Sequence, residues 1–392
     1  MPSTAQRHPT VFQSYAERAE QPNLSPLATY LLHLIHLKRT NLCVSADVNT
    51  TAELLRVAEE VGDYICILKT HADIIDDFSD KTARRLDEIA RRKKFLVFED
   101  RKFGDIGSTL KQQYTRGPLA IVRWASIVNA ALFPGPAVIT ALADAAKEHI
   151  AARNTSVQTD ISASPAVSVV DSGRDDEDDD DHSVEGDAHG AAESEPEEVE
   201  VHDDRKSRKH SVVSVSTTIS TKTEAISPQP TLRPTLSRGS SSSEDGDAAD
   251  PEAQLAELGP PPYYRSLLLL AQMSSAGNLF TPEYTQQCVR HARRNRDFVM
   301  GFVAQQTLNA ERDDNFITLT PGVQLAAGGD ALGQQYNTPH KVICEGGSDI
   351  IIVGRGILEA EDLERAAVEY RRQGWAAYEE RLKSGRGSAS RR

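Results

Sequence analysis

Short apolar runs rich in β-branched residues recur along the chain, each followed by a polar or glycine-containing loop and then by helical spacing. Eight such runs occupy residues 42–48, 65–72, 95–100, 126–132, 266–273, 298–304, 316–320 and 349–353. Near-continuous apolar runs, without the alternation of a half-exposed sheet, mark strands buried on both faces. Residues 52–61, 80–93, 137–151 and 361–382 place their apolar positions three and four apart, as helices packed on such strands do. Eight β/α units in about 285 residues predict an α/β protein built as a (β/α)8 TIM barrel. An open doubly wound sheet is the alternative, but no run is followed by the GxGxxG fingerprint of dinucleotide-binding sheets.

The rhythm stops at 152–259. That stretch turns to Ser, Thr, Asp, Glu and Pro, with runs such as Asp178 to Asp181 and Ser240 to Ser243. So little apolar area cannot offset ordering entropy of about 1–2 kcal/mol per residue. It is therefore expected to be a disordered insert between the fourth helix and the fifth strand. The N-terminal half-barrel would occupy 1–151, and 260–392 the second half with a C-terminal tail. Closure cost grows only logarithmically with loop length, so a barrel tolerates such an insertion.

Charge follows the same division. The net charge is −14, yet residues 174–204 alone hold sixteen Asp and Glu against one Arg, so the remaining chain is close to neutral. That excludes a basic nucleic-acid binder. A basic run at 205–209 reads either as an import or docking patch or as counter-charge to the acidic stretch, and the serine run 240–243, just before Glu244 and Asp245, is a candidate for phosphorylation. The four cysteines are far apart, with no CxxC pair and no adjacent His, so neither a disulfide scaffold nor a structural zinc site is expected. Residues 27–37 are apolar but short and interrupted by His33 and His36. No membrane span is expected, and a reducing, cytoplasmic setting follows.

In these barrels the reactive groups gather where strands end, and each of the first three runs ends in charge. The first gives Asp47, the second Lys69 with His71, and the third Asp100, Lys102 and, in the loop beyond, Asp105. Residues two apart share a strand face, so Asp100 and Lys102 are expected to point together into the mouth, with Lys102 buried and Arg101 turned away. An ammonium among carboxylates keeps its proton, which suits a fixed cation or proton donor and not a Schiff-base amine. The seventh and eighth runs lead into Pro321-Gly322, Gly333-Gln334-Gln335-Tyr336 and Gly354-Arg355-Gly356, the position at which such barrels hold phosphate on glycine amides and an arginine fork. Ser274, at the end of the fifth run, offers a hydroxyl to a polar substrate edge.

The segment Phe95-Leu96-Val97-Phe98-Glu99-Asp100-Arg101-Lys102-Phe103-Gly104-Asp105-Ile106-Gly107-Ser108-Thr109 resembles the signature of the orotidine 5′-phosphate decarboxylases. So do Leu68-Lys69-Thr70-His71, the stretch 329–336 and Ile352-Val353-Gly354-Arg355-Gly356. The likeness spans both halves, and the insert resembles that of filamentous-fungal members. It implies a homodimer, free of metal and cofactor, that converts orotidine 5′-monophosphate to UMP and CO2 in pyrimidine biosynthesis. On this resemblance Lys102 protonates C6, Asp100 faces the departing CO2, and Lys69 completes the charge array. Asp105 and Thr109 reach into the neighbouring subunit's site. Asp47 is expected at the ribose, Ser274 at the pyrimidine, and Gln334, Tyr336, Gly354 and Arg355 at the phosphate, with Thr70, His71 and Pro321 as further substrate contacts. Two competing readings remain: a magnesium-dependent sugar-phosphate lyase or synthase with a DxKxxD-like motif, and a scaffold whose acidic insert is the working part.

Overall fold

The computed structural model describes residues 7–163, 213–221, 251–326, 328–329 and 335–389. Eight strands close a barrel: β1 (Leu42–Ala46), β2 (Ile67–Thr70), β3 (Leu96–Phe103), β4 (Ile127–Ala130), β5 (Ser266–Leu270), β6 (Val299–Val303), β7 (Ile317–Thr320) and β8 (Ile350–Val353). Each pairs in parallel with its sequence neighbours, and β8 closes on β1 with Leu42 opposite Ile351. The strands are buried almost throughout, as the unbroken apolar runs predict.

Helices Thr51–Val61, Asp80–Lys93, Gly107–Thr115, Ala137–Asn154, Pro282–Arg294 and Leu363–Ala389 surround the barrel. Thr50, Ser79 and Thr281 cap three of them by accepting from first-turn amides. In Asp80–Lys93 the buried positions Ala83, Leu86, Ile89 and Ala90 form one stripe, with charge on the other face. Residues 27–37 lie in the helix Pro26–Lys38, which Arg39 ends in the left-handed conformation. Its Lys38 Nζ donates to the carbonyls of Gly62, Ile65, Lys93 and Lys94 at 2.6–2.8 Å, tying together the ends of two barrel helices. Burial pulls the pKa of this amine down to about 7; the four carbonyl oxygens favour the ammonium. Among the described residues no helix is long and apolar enough to cross a membrane.

Three details depart from the sequence expectation. The third strand runs past Asp100 to Phe103, with its pairing to β4 shifted between Glu99 and Phe103. The sixth crossover, residues 304–316, contains no helix. Its polar sequence has no apolar stripe, and Asp314 organises it instead, accepting from Arg293, Arg296 and the amides of Ala310 and Glu311. Burial opposes this carboxylate's charge, but Arg293 and the two amides hold its pKa at about 2. The N-terminal segment completes the layer, with His8 on the Glu311 carbonyl and Thr10 on Asn309.

The third departure lies in the region expected to be insert. The fourth helix runs on to Asn154, and Pro251–Glu257 forms a helix before β5. Thr155–Ala163 and Val213–Thr221 pair as a two-stranded antiparallel ribbon, Thr155 opposite Thr221 and Ala163 opposite Val213. Both segments alternate apolar and polar residues, a period-two signal that the surrounding Ser- and Asp-rich composition masks. The acidic run 174–204, the basic run 205–209 and the serines at 240–243 lie outside the described residues.

Candidate active site

The C-terminal ends of the strands surround a cavity of about 230 Å³. Asp47, Lys69, Asp100 and Lys102 line it together with Ser274, Pro321, Tyr336, Gly354 and Arg355, and Gly354 backs directly onto Asp47. Phe98, Leu270, Val303 and Ile352 form the apolar floor.

Lys69, buried at the end of β2, anchors the charged side. Its Nζ lies 3.1 Å from Asp100 Oδ2, 3.4 Å from Asp47 Oδ1 and 2.7 Å from His71 Nε2, so each of its three protons has a partner. Burial works against the ammonium, yet Asp100 and Asp47 outweigh it and raise the pKa. For His71, burial and the adjacent Lys69 both lower the pKa, so its ring is neutral and Nε2 accepts from Lys69. Asp47 also accepts from Ser45 at 2.6 Å. Burial raises its pKa, but Lys69 and the Ser45 hydroxyl bring it below the ordinary value.

Asp100 sits between the two lysines. Lys102 Nζ donates to Oδ1 at 2.8 Å while Lys69 faces Oδ2. Although burial opposes ionisation, Lys69 and Lys102 hold this carboxyl far below the usual carboxylate range. Lys102 is not buried as expected; 41% of its side chain is exposed at the mouth. Nor does simple strand alternation bring it beside Asp100. Its φ is +50°, a left-handed conformation rare for a side chain with a Cβ and costing on the order of 1–3 kcal/mol. The shifted pairing of β3 bends the backbone there and returns the lysine over the carboxylate.

Two residues absent from the sequence-derived site hold this geometry. Asn129, buried on β4, accepts from the Lys102 amide at 2.7 Å and donates to Asp100 Oδ1 at 2.6 Å. It thus bridges the strained backbone and the carboxylate, and its signal was a single amide in an otherwise apolar run. Glu99, fully buried, accepts from Thr70 Oγ1 at 2.6 Å and from the Ala72 amide at 3.1 Å. Burial raises its pKa to about 8 despite the Thr70 and Ala72 hydrogen bonds. Near neutral pH its protonated form is thus favoured far more than for an exposed glutamate. Glu99 clamps the turn from which Lys69 and His71 project.

The remaining expected residues divide. Thr70 does not reach the cavity, because its side chain points back to Glu99. His71 joins the charge array, 3.4 Å from Asp100, without lining the cavity. Asp105 and Thr109 stand outside it, Asp105 accepting from the Ile106 amide and Gln113. Gln334 lies outside the described residues. Elsewhere in the cavity lining, the Arg355 guanidinium lies 5.7 Å from the centre of the Tyr336 ring. The Gln335 amide donates to the Ser274 carbonyl at 3.4 Å, joining the loops after β5 and β7 across the mouth.

Residues 40–370 match the model of the orotidine 5'-phosphate decarboxylase / HUMPS family. The chain belongs to this family. The orotidine 5'-phosphate decarboxylase of Aureobasidium pullulans is 46% identical over 373 residues, covering 95% of this chain and 96% of that protein. That of Hypocrea atroviridis is 42% identical over 391 residues, covering 96% and 99%. The family match spans the first and last barrel strands, so the charge array, Tyr336 and Arg355 all fall within it.

Proposed function

We propose that the chain decarboxylates orotidine 5′-monophosphate to UMP and CO2. The observation that carries this reading is the Lys69–Asp100–Lys102 array sharing one cavity with Tyr336, Gly354 and Arg355. Cleaving the bond from C6 to the carboxylate leaves an electron pair in the plane of the pyrimidine, where no π system spreads it. A fixed ammonium is then the most direct stabiliser. Lys102, exposed at the mouth and aligned by Asp100, supplies that charge and donates an N–H proton to C6, becoming a neutral amine. Asp100 stays ionised between the lysines, faces the substrate carboxylate and restrains Lys102. Arg355, Tyr336 and the Gly354 backbone bind the phosphate, and this remote binding holds the ring against the charges. Asp47 takes the ribose and Ser274 the pyrimidine edge.

The reaction so written needs neither metal nor organic electron sink. We further propose a cytoplasmic homodimer in which Asp105 and Thr109 act at the neighbour's mouth. Their position outside their own cavity supports this, as do the exposed apolar side chains of Ile106 and Phe133 on the same rim. The domain reading that goes with it is a catalytic barrel carrying a passenger insert.

An absorbance assay with orotidine 5′-monophosphate tests the reaction. Turnover is expected to persist in EDTA and to fall at least ~10³-fold in Lys102→Ala with the fold retained. Loss in EDTA with recovery on adding magnesium would instead support the sugar-phosphate lyase reading. Mixing Lys102→Ala with Asp105→Ala subunits should restore activity, since a hybrid dimer has one intact site; no recovery after verified subunit exchange refutes the shared mouth.

A further inference from the structure

Away from the mouth, the segment between β7 and β8 and the last helix bring together ligating side chains that the reaction does not use. His340, Cys344 and Glu380 each offer one ligand atom, and these atoms lie within 4.8 Å of one another. None of the three lines the mouth cavity. His340 immediately precedes the π-helical turn Lys341–Glu345, Cys344 lies within it, and Glu380 comes from Leu363–Ala389. π-helical turns interrupt regular helix at some cost and are frequent at functional sites.

The separation of the His340 and Glu380 ligand atoms suits a metal ion. His340 Nε2 is 3.3 Å from Glu380 Oε1. That is the edge of a tetrahedron whose centre stands ~2.0–2.2 Å from an imidazole nitrogen and a carboxylate oxygen. The other ring nitrogen, Nδ1, lies 3.6 Å from Glu345 Oε1, beyond hydrogen-bond reach but close enough for the carboxylate charge to favour a metal-bound imidazole. His340 and Glu380 are exposed and Cys344 half-buried, so an ion can enter from solvent. The nearby Arg7 donates to the carbonyls of Cys344 and Glu345 at 2.9 and 3.0 Å, fixing the end of the turn.

We propose that His340, Cys344 and Glu380 form a binding site for a zinc-class divalent ion, with the Glu345 charge beside the imidazole and water completing the coordination. One sulfur, one nitrogen and one oxygen donor suit a borderline-soft ion and do not suit magnesium or calcium. Such an ion ties the last helix to the segment between β7 and β8, so the site stabilises the fold and takes no part in decarboxylation. A thiol must lose its proton to ligate the ion, so binding releases a proton and strengthens as pH rises.

The test uses the full chain, stripped with a chelator and titrated with Zn²⁺ against a chromophoric competitor, and separately with Co²⁺. One equivalent of zinc is expected to bind with a rise in Tm, and cobalt to bring a near-ultraviolet thiolate-to-metal band. The other three cysteines are buried in the barrel, so the band reports Cys344. Cys344→Ser should abolish it, Cys344→Ser and His340→Ala should weaken zinc binding more than tenfold, and Glu345→Gln should weaken it about tenfold. Turnover of orotidine 5′-monophosphate should be unchanged in all three, which also verifies their fold. Absence of stoichiometric binding overturns the proposal and leaves the cluster an ion pair of His340 with Glu345 and Glu380. Equal binding by Cys344→Ser also overturns it and places the zinc elsewhere on the chain.

Discussion

Asn129 acts on both parts of the Lys102–Asp100 pair with a single amide. Its Oδ1 receives the amide of a residue in left-handed conformation, and its Nδ2 meets the carboxylate that aligns the ammonium. Asn129→Ala is expected to lower kcat by roughly 10²-fold with little change in KM, since the damage is to alignment. It should also cost about 1–3 kcal/mol of stability through the unpaired groups left behind. Steady-state kinetics beside urea unfolding checks both, and an unchanged kcat would remove Asn129 from the positioning of Lys102. Glu99 gives a pH signature. Its folded pKa of about 8 stands above the ordinary glutamate value near 4.3, so folding favours its protonated form. The stability it contributes is complete below about pH 4 and drains away as pH rises through 8. Glutamine stays neutral throughout, so Glu99→Gln should gain stability relative to the parent between pH 5 and pH 9. Parallel denaturation curves at the two pH values measure it.

Among the elements, β6 is the least ordinary barrel strand. It lacks a following helix, and its pairing to β5 shifts between Leu267 and Leu268. Gly301, opposite Ile317 of β7, lets the two backbones approach: a Cβ at 301 would lie 1.8 Å from the Ile317 carbonyl oxygen. Gly301→Ala is therefore expected to destabilise the barrel by more than about 2 kcal/mol, because the obstruction is backbone and cannot rotate aside. A urea midpoint within error of the parent would show that β6 can spread from β7 freely. The polar crossover behind the strand depends on Asp314, whose carboxylate replaces the apolar stripe of a helix with hydrogen bonds to two arginines and two amides.

At the scale of the molecule, the described residues before 155 and after 250 form one compact unit, and the ribbon of Thr155–Ala163 with Val213–Thr221 belongs to a second. The array and the phosphate end belong entirely to the first. Joining Asn154 to Pro251 is thus expected to leave kcat and KM for orotidine 5′-monophosphate within about twofold, loop length entering stability only logarithmically. A folded deletion variant without activity would give the insert a part in catalysis. The barrel was legible in advance because a strand covered on both faces must be apolar along its whole length, whatever its partners. The charged residues at the strand ends were legible because that fold exposes them at one rim. The exposure and left-handed turn of Lys102, the diversion of Thr70 to Glu99, the bridging by Asn129 and the helix-free sixth crossover were not. Each depends on which residue stands across a strand boundary, and those neighbours meet only when the barrel closes. Residue order thus settled the strands and the chemical groups at their ends; closure settled which of those groups face the cavity and which support them from behind.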